Sequence, residues 1–403
     1  MARLRRAERH PLRAAFGHPA AGGVALMVAA ACALVWANSP WRAGYHELLR
    51  APVAVGAGWA RVSWPLVDWV NDALMTLFFL LAGLEIKREL VVGELRTARR
   101  AALPLVAAAG GMVVPALVYL AVNPRGPGRA GWGIPMATDI AFALGCLGLI
   151  RARVPRSLFV FLTALAIFDD LGAIVVIALF YGRGVHWPAL GVAATFTVAL
   201  VAAGRARAGN VSVFALLGAL LWAALLHSGV HAALAGVIVG LSLTTHEGDR
   251  RPSPLARVER ALGGVVAFFV LPAFALANAG VELAGGASPE AVRVTAGVSV
   301  GLALGKMAGV FGATTLAVKW GLAPRPTGAT WLQVFGVAIM AGVGFTMSIF
   351  VSALAFSGPS APLDLAAKKG IAFASAGCAS LAIALLYFAG RPIASGRPSH
   401  SDR

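Results

Sequence analysis

The chain has 403 residues, of which 59% are hydrophobic and 13% are charged. Soluble domains carry about a quarter charged residues, so this composition excludes a soluble globular protein, a disordered chain, a coiled coil and a disulfide scaffold. The net charge is +17, but the basic residues lie in small clusters between apolar runs without interleaved aromatics, which argues against a nucleic-acid partner. The sequence predicts a polytopic membrane protein.

Apolar runs bounded by charges, Gly/Pro turns and aromatic residues predict about twelve transmembrane helices. The predicted fold is all-α, with one transmembrane domain over 20–390 between a basic N-terminal tail, 1–19, and a C-terminal tail, 391–403. The longest connections, at about 38–65 and 246–260, are too short for a separate soluble domain. The predicted spans lie at about 20–37, 66–84, 101–121, 133–150, 157–180, 188–203, 211–227, 229–245, 261–281, 294–319, 331–356 and 367–390.

The positions of Lys and Arg support this count. If the N-terminus is cytoplasmic, twelve spans bring the basic clusters at 3–13, 87–100, 151–156, 205–207 and 250–260 to the same side of the membrane. Cytoplasmic loops carry an excess of Lys and Arg, and adding or removing one span would scramble this asymmetry. The sequence therefore predicts that both termini are cytoplasmic.

Four ionisable residues fall inside the predicted spans. They are Asp139, Asp169, Asp170 and Lys306. An ionisable group near the bilayer centre costs several kcal/mol unless it is paired or faces water, so each of these residues is a candidate for a functional site.

Asp169 and Asp170 lie halfway along the fifth predicted span. Because neighbours on a helix point about 100° apart, one carboxylate can face a water-filled cavity while the other faces a packed partner such as Lys306. The alternative is that an aspartate only pairs with Lys306 to lock the bundle. Two carboxylates exceed what one lysine neutralises, which favours a functional pair.

Two of the spans carry signals for an interrupted helix. In the fourth, Pro135 precedes Thr138 and Asp139; in the eleventh, glycine and hydroxyl residues occupy the segment from Gly342 to Ser348. Glycine also serves close helix packing in membranes, so it is ambiguous alone. Paired interruptions at matching places nevertheless indicate a transport site built from inverted repeats.

Glu85, Arg88 and Glu89 end the second span, and Glu259 lies near the start of the ninth. These residues are either ordinary solvated helix ends or a carboxylate-rich funnel that collects cations and senses protonation. His231 lies near a span boundary and either forms hydrogen bonds at a helix end or titrates near neutral pH.

Motifs spread over most of the chain resemble one known family, the NhaA-type sodium/proton antiporters. They occur in one order between positions 69 and 356 and are WVNDALMTLFFLLAGLEIKREL, GWGIPMATDIAFALG, ALAIFDDLGAIVVIALFY, SGVHAALAGVIVG, LPAFALANAGV, GLALGKMAGV and GVGFTMSIFVSALAF. Several motifs of this length in a fixed order are highly specific.

The resemblance implies twelve helices, with spans 3–5 and 10–12 as inverted repeats and spans 4 and 11 unwound where they cross. It implies that Asp170 and Asp169 bind the transported Na⁺ or Li⁺ and the protons, with Thr138 nearby, and that Asp139 and Lys306 compensate the charges of the broken helix ends. It also implies a cytoplasmic pH-response cluster of Glu85, Arg88, Glu89, Glu259 and His231.

The chain departs from the family pattern at two positions of that cluster. Gly263 stands where a histidine is usual, and Ala256 stands where a lysine is expected, which leaves the pH threshold open. The resemblance further implies a homodimer, with contacts partly through 38–65, in a bacterial inner membrane.

The expected activity is secondary, electrogenic and pH-regulated exchange that extrudes sodium, with no cofactor and no enzymatic reaction. One alternative is a symporter that couples sodium to an organic anion. Another is an intramembrane aspartyl protease, for which the adjacent Asp169 and Asp170 are poorly placed because that chemistry needs two aspartates facing each other from different helices.

Overall fold

The structure, a computed structural model, describes residues 21–55, 62–182, 184–246, 252–283 and 288–390. The predicted tails, 1–19 and 391–403, lie outside the described residues, as do the arginines that the sequence analysis counted there.

The described chain is helical apart from one short hairpin. The helices are α1 (Ala21–Ala37), α2 (Arg42–Arg50), α3 (Leu66–Val91), α4 (Ala98–Val122), α5 (Ile140–Leu149), α6 (Arg156–Phe180), α7 (Trp187–Arg205), α8 (Val211–Leu226), α9 (Leu234–Ser242), α10 (Pro254–Asn278), α11 (Pro289–Lys319), α12 (Trp331–Met340), α13 (Phe345–Ala355) and α14 (Ala361–Ala389). The hairpin pairs β1 (Pro52–Val55) with β2 (Val62–Pro65) in antiparallel register.

The membrane-protein prediction is confirmed. Of the helices in the described ranges, seven are long and apolar enough to cross a membrane, or up to ten if each of three bent pairs counts as one span. Each of the twelve predicted spans overlaps a helix, and the two that fall on α8 and α9 correspond to the shorter helices.

Both predicted interruptions are present. The 3₁₀ segment Pro127–Met136 is bent by 45° from α5, and α12 is bent by 42° from α13. Pro135 has no N–H to donate to a helix, and the residues from 137 to 139 leave the helical conformation before α5 begins.

Three long helices are locally unwound by one wide turn. A π-helical turn occurs in α3 at Val70–Leu74, in α10 at Val266–Val270 and in α11 at Gly301–Lys306. Such turns shift the side chains that follow them around the helix and often occur at functional sites. Nothing in the sequence analysis anticipated them.

The described residues of the connection 38–65 contain regular secondary structure. Helix α2 turns by 114° from α1, and the hairpin follows it. Helix α2 is only nine residues long and mostly polar, so it carries no membrane-span signal.

Close packing of α4 on α11 fixes the position of Lys306. A Cβ at Gly309 would clash with the carbonyl oxygen of Gly110, and one at Gly110 would clash with Gly309. Small residues let membrane helices approach at backbone distance. At the next residue of α4, a Cβ at Gly111 would clash with the Val310 side chain and would lie 3.8 Å from the Lys306 side chain.

Candidate functional site

The two broken helices cross and supply each other's backbone partners. The Asp139 amide donates to the Val343 carbonyl at 2.7 Å, and the Ser348 hydroxyl donates to the Ile134 carbonyl at 2.8 Å. Inside a membrane every backbone group must find a partner within the protein, so each break is tolerated because the other lies against it.

Asp139 caps two helices with one carboxylate. Its Oδ1 accepts from the Phe142 amide at 2.9 Å, at the start of α5, and its Oδ2 accepts from the Thr346 amide at 2.9 Å, at the start of α13. The Thr346 hydroxyl also donates to Oδ2 at 2.6 Å. A negative charge is favourable at a helix N-terminus, so Asp139 offsets the positive ends of both half-helices.

Lys306 lies at the opposite kind of helix end. Its ammonium is fully buried, lies 2.7 Å from Asp169 Oδ2, and donates to the carbonyl of Met136, the last residue of the 3₁₀ segment. A cation is favourable beside exposed carbonyls at a helix C-terminus. Lys306 therefore contacts both the broken span and Asp169.

The Thr138 hydroxyl joins this group. Its Oγ1 lies 2.6 Å from Asp169 Oδ2 and 2.9 Å from the Ala341 carbonyl, and its single proton serves one of these acceptors at a time. Asp169 Oδ2 thus has two close partners, whereas Oδ1 of the same buried carboxylate has no hydrogen-bond partner among the described residues.

Asp170 lines a cavity of about 290 Å³. Glu85 of α3, Ala141 of α5 and Gly263 of α10 also line this cavity. Asp170 is only 4% exposed, and its Oδ1 likewise has no hydrogen-bond partner among the described residues. Buried polar atoms are normally paired, so these carboxylate oxygens are available to a proton or a hard cation.

Four of the five pH-response candidates meet at one end of α3. Arg88 forms an ion pair with Glu259 of α10 and another with Glu89 at 3.2 Å. Glu85, one turn earlier, lines the cavity that reaches Asp170. Arg88 and Glu89 thus follow a lining residue of this cavity by about one turn, and Glu259 precedes another, Gly263, by about one turn.

His231 lies elsewhere, and placing it in the cytoplasmic cluster is wrong. Its Nε2 lies 3.4 Å from Asp72 Oδ1, near the start of α3. Glu85 lies thirteen residues further along the same helix, which is about 20 Å. His231 therefore belongs to the opposite end of the molecule.

A second cavity, of about 280 Å³, lies at that end. Its lining includes Asp68, Asn71, Asp72 and His231. The sequence analysis missed these acidic and amide side chains, although Asp68 and Asp72 are spaced four residues apart and share one helix face. This spacing of two acidic residues just before an apolar span could have predicted a polar face at this end of α3.

Aromatic rings lie between the two cavities. Phe78 lines the first cavity and packs on Phe79, with ring centroids 5.4 Å apart. Phe79 packs on Phe350 at 5.3 Å, and Phe350 lines the second cavity. An apolar layer therefore separates two polar openings.

Comparison with known proteins identifies the family. The chain matches the family model described as Na⁺/H⁺ antiporter 1 over residues 13–386. Proteins named Na(+)/H(+) antiporter NhaA are 49% identical over 91% of this chain and 94% of the relative in Albidiferax ferrireducens, and 46% identical over 94% and 98% in Escherichia coli O1:K1 / APEC. The relative of that name in Pseudomonas putida is 51% identical over 84% and 87%. The chain belongs to the Na⁺/H⁺ antiporter 1 family.

Membership of this antiporter family confirms the resemblance drawn from the motifs. It also rejects the protease alternative, because the family is one of transporters rather than enzymes.

The Asp139 carboxylate, which caps two helices, should contribute to the stability of this antiporter-family chain. Asp139→Asn keeps the side chain's size but removes its charge and leaves one acceptor oxygen for two helix ends. We expect the free energy of unfolding to fall by about 1–3 kcal/mol, measured as a lower thermal unfolding midpoint of the purified protein.

Asp364→Asn is the matched control, because Asp364 pairs with Lys368 at 2.8 Å in a partly exposed position of α14, and asparagine keeps an acceptor oxygen for the Ser352 hydroxyl that donates to Asp364. Its expected cost is below about 1 kcal/mol. Equal midpoints for the two variants would contradict the double cap.

Proposed function

We propose that this chain is a secondary active antiporter that exchanges Na⁺ or Li⁺ for protons across a bacterial inner membrane, with Asp170, Asp169 and Thr138 as its cation and proton site. The arrangement of the adjacent carboxylates supports this proposal. Asp169 is paired with a buried ammonium, and Asp170 faces a cavity with an oxygen that has no partner among the described residues.

Competition for the same oxygens provides the exchange. Na⁺ and Li⁺ require oxygen ligands and cannot share a protonated carboxyl group, and a carboxyl group without its hydration shell takes up a proton readily. A cation entering the site therefore displaces protons, and protonation expels the cation. Oxygens of Asp170, Asp169 and the Thr138 hydroxyl would form the ligand set.

Lys306 makes the exchange electrogenic in this proposal. Its ammonium lies 2.7 Å from Asp169, so a cation that approaches Asp169 weakens this ion pair. Lys306 can then release a proton in addition to the one that leaves Asp170. More than one proton per cation moves net charge, so a proton gradient would drive sodium out of the cell.

A cavity on each side of the aromatic layer suits alternating access. The layer of Phe78, Phe79 and Phe350 blocks a continuous path between the openings, as an exchanger requires. In this conformation Asp170 is reached from the cavity that Glu85 lines.

The symporter alternative fits the cavity less well. An organic anion requires a fixed cationic group facing its site, whereas the charged residues that line the Asp170 cavity in the described part of the chain are carboxylates. Lys306 is not among the lining residues, and it contacts Asp169 and the Met136 carbonyl.

Transport is tested in everted vesicles with a dye that reports the pH gradient. We expect Na⁺ or Li⁺ to collapse the gradient with the unmodified chain and to have no effect with Asp170→Asn. The amide cannot release a proton when a cation binds. Asp364→Asn, outside the cavity, should retain activity. If Na⁺ and Li⁺ leave the dye signal of the unmodified chain unchanged between pH 6.5 and 9, the antiport proposal is wrong. If the Asp170→Asn variant still collapses the gradient, the proposed site is wrong.

We further propose that Glu85, Arg88, Glu89 and Glu259 set the pH dependence. Glu85 lines the Asp170 cavity, and Arg88 bridges α3 to α10 through Glu259. His231 would contribute from the other side through Asp72. A Cβ at Gly263 would meet nothing within 4 Å, so the missing histidine leaves open space in this entrance, and we expect the threshold to differ from that of relatives with a histidine there.

The Glu259→Gln variant tests this cluster. With one negative charge fewer, the remaining carboxylates repel one another less, so the cluster reaches its charged form at a lower pH. We expect the pH midpoint of cation-driven dequenching to move to lower pH, with maximal activity retained. Glu47→Gln, at an exposed position of α2, should leave the midpoint unchanged, and the same midpoint in both variants would contradict the proposal.

We also propose a homodimer with both termini cytoplasmic. The basic clusters on one face support the orientation, and the hairpin supports the contact. All four residues of β1 are exposed, and an isolated two-stranded sheet with open edges is a template for pairing with another strand. In this orientation the hairpin lies outside the cytoplasm.

Cysteine crosslinking on intact cells tests contact and orientation together. With Cys32 replaced by serine, Val53→Cys should give a crosslinked dimer with a membrane-impermeant bifunctional thiol reagent, because the residue is exposed on β1. Trp187→Cys, exposed at the start of α7 on the same side, should be labelled without crosslinking. Labelling of Val53→Cys without a dimer would reject the contact, and no labelling of either variant would reject the orientation.

A further inference from the structure

A large basic cleft lies at the end of the molecule that carries Arg88, away from the Asp170 cavity. It has a volume of about 810 Å³ and lies between the first turns of α4 and α6 and the connection from α11 to α12. Its rim carries the exposed side chains of Arg99, Arg100, Arg156 and Arg325, and among the described residues that line it there is no carboxylate. The cleft therefore has four arginine side chains around one open space.

The connection that closes the cleft is held in place. Ser157 of α6 donates a hydrogen bond to the Thr327 carbonyl at 2.7 Å, and Pro324 and Pro326 restrict the backbone on either side of Arg325. The Arg325 guanidinium lies 5.6 Å from the centre of the Trp331 ring, which attracts it through a cation–π interaction. The arginine is thus held at the rim.

The floor of the cleft is apolar. Leu95, Leu103, Phe161 and Ala323 are buried beneath the arginines, and Val160 is 42% exposed among them. A free inorganic anion would gain no binding energy from contact with these apolar side chains. A cationic rim above apolar side chains matches a phospholipid, which places a charged headgroup next to hydrocarbon.

The position of the cleft along the membrane axis supports the same occupant. It lies at the ends of membrane-crossing helices, and Trp331, which contacts Arg325, begins α12. Tryptophan is enriched at the level of the headgroups, and basic pockets between transmembrane helices bind anionic lipid headgroups. The excess of Arg on this face also agrees with the cytoplasmic leaflet.

We propose that this cleft binds the phosphate headgroup of an anionic phospholipid, with Arg99, Arg156 and Arg325 contacting the phosphate. The bound lipid would join α4, α6 and the connection before α12. Its site is separate from the cation path, since it shares no lining residue with the Asp170 cavity.

The test measures lipid binding to the purified full chain in a non-ionic detergent by native mass spectrometry. The probes are phosphatidylglycerol, phosphatidylcholine and inorganic phosphate. We expect phosphatidylglycerol to bind more tightly than phosphatidylcholine, and Arg156→Gln/Arg325→Gln to weaken its binding about thirtyfold, since each basic residue near a membrane surface contributes about a fivefold factor. Arg96→Gln/Arg151→Gln removes two exposed arginines from the same face but outside the cleft and should bind normally.

Equal losses in the two double variants would reject the cleft in favour of diffuse surface charge. Equal binding of phosphatidylcholine, or competition by millimolar inorganic phosphate, would reject an anionic lipid as the occupant. If Arg156→Gln/Arg325→Gln lowers the unfolding midpoint without lipid, the single variant Arg325→Gln, in an exposed connection, replaces it. Its expected effect is about fivefold, and an unchanged affinity would overturn the proposal.

Discussion

The crossing of two broken helices is the constraint on which the rest of this structure depends. Each break exposes backbone groups that hydrocarbon cannot solvate, so neither span could be interrupted alone. The amide of Asp139 bonded to Val343, and the hydroxyl of Ser348 bonded to Ile134, make each break the partner of the other. The close contact of α4 with α11 then brings Lys306 to the same point.

Charges at the crossing follow from the helix ends that it creates. Two helix N-termini converge on Asp139, and the C-terminal carbonyl of Met136 meets Lys306. Lys306 is in turn paired with Asp169. In this arrangement Asp139, Lys306 and Asp169 all have partners, whereas Asp170 lines a cavity and its Oδ1 has no hydrogen-bond partner among the described residues.

The features that could be predicted from the sequence are those that follow from hydrophobicity, from the order of residues along the chain and from the properties of single residues. Apolar runs located the spans, Pro135 and Gly342 located the breaks, and the angular offset of adjacent residues anticipated that Asp169 and Asp170 would face different surroundings. Prediction from the sequence failed where the answer depends on which segments meet in space. The basic cleft combines arginines from the first turns of α4 and α6 and from the connection before α12. His231 was placed in the cytoplasmic cluster by the family resemblance, although the predicted order of spans already puts the start of the eighth span on the other side.

The π-turns show how the fold directs polar groups inward. The turn in α3 contains Asn71 and Asp72, which line the second cavity, and the turn in α10 contains Val266 and Ala267, which line the first. The turn in α11 ends at Lys306. Sequences usually depart from regular local structure at functional sites, and here each wide turn lies beside a cavity or at the central cation. Because a wide turn is stabilised by its packing rather than by a distinctive residue, the irregularities that shape the two openings were not visible in the sequence.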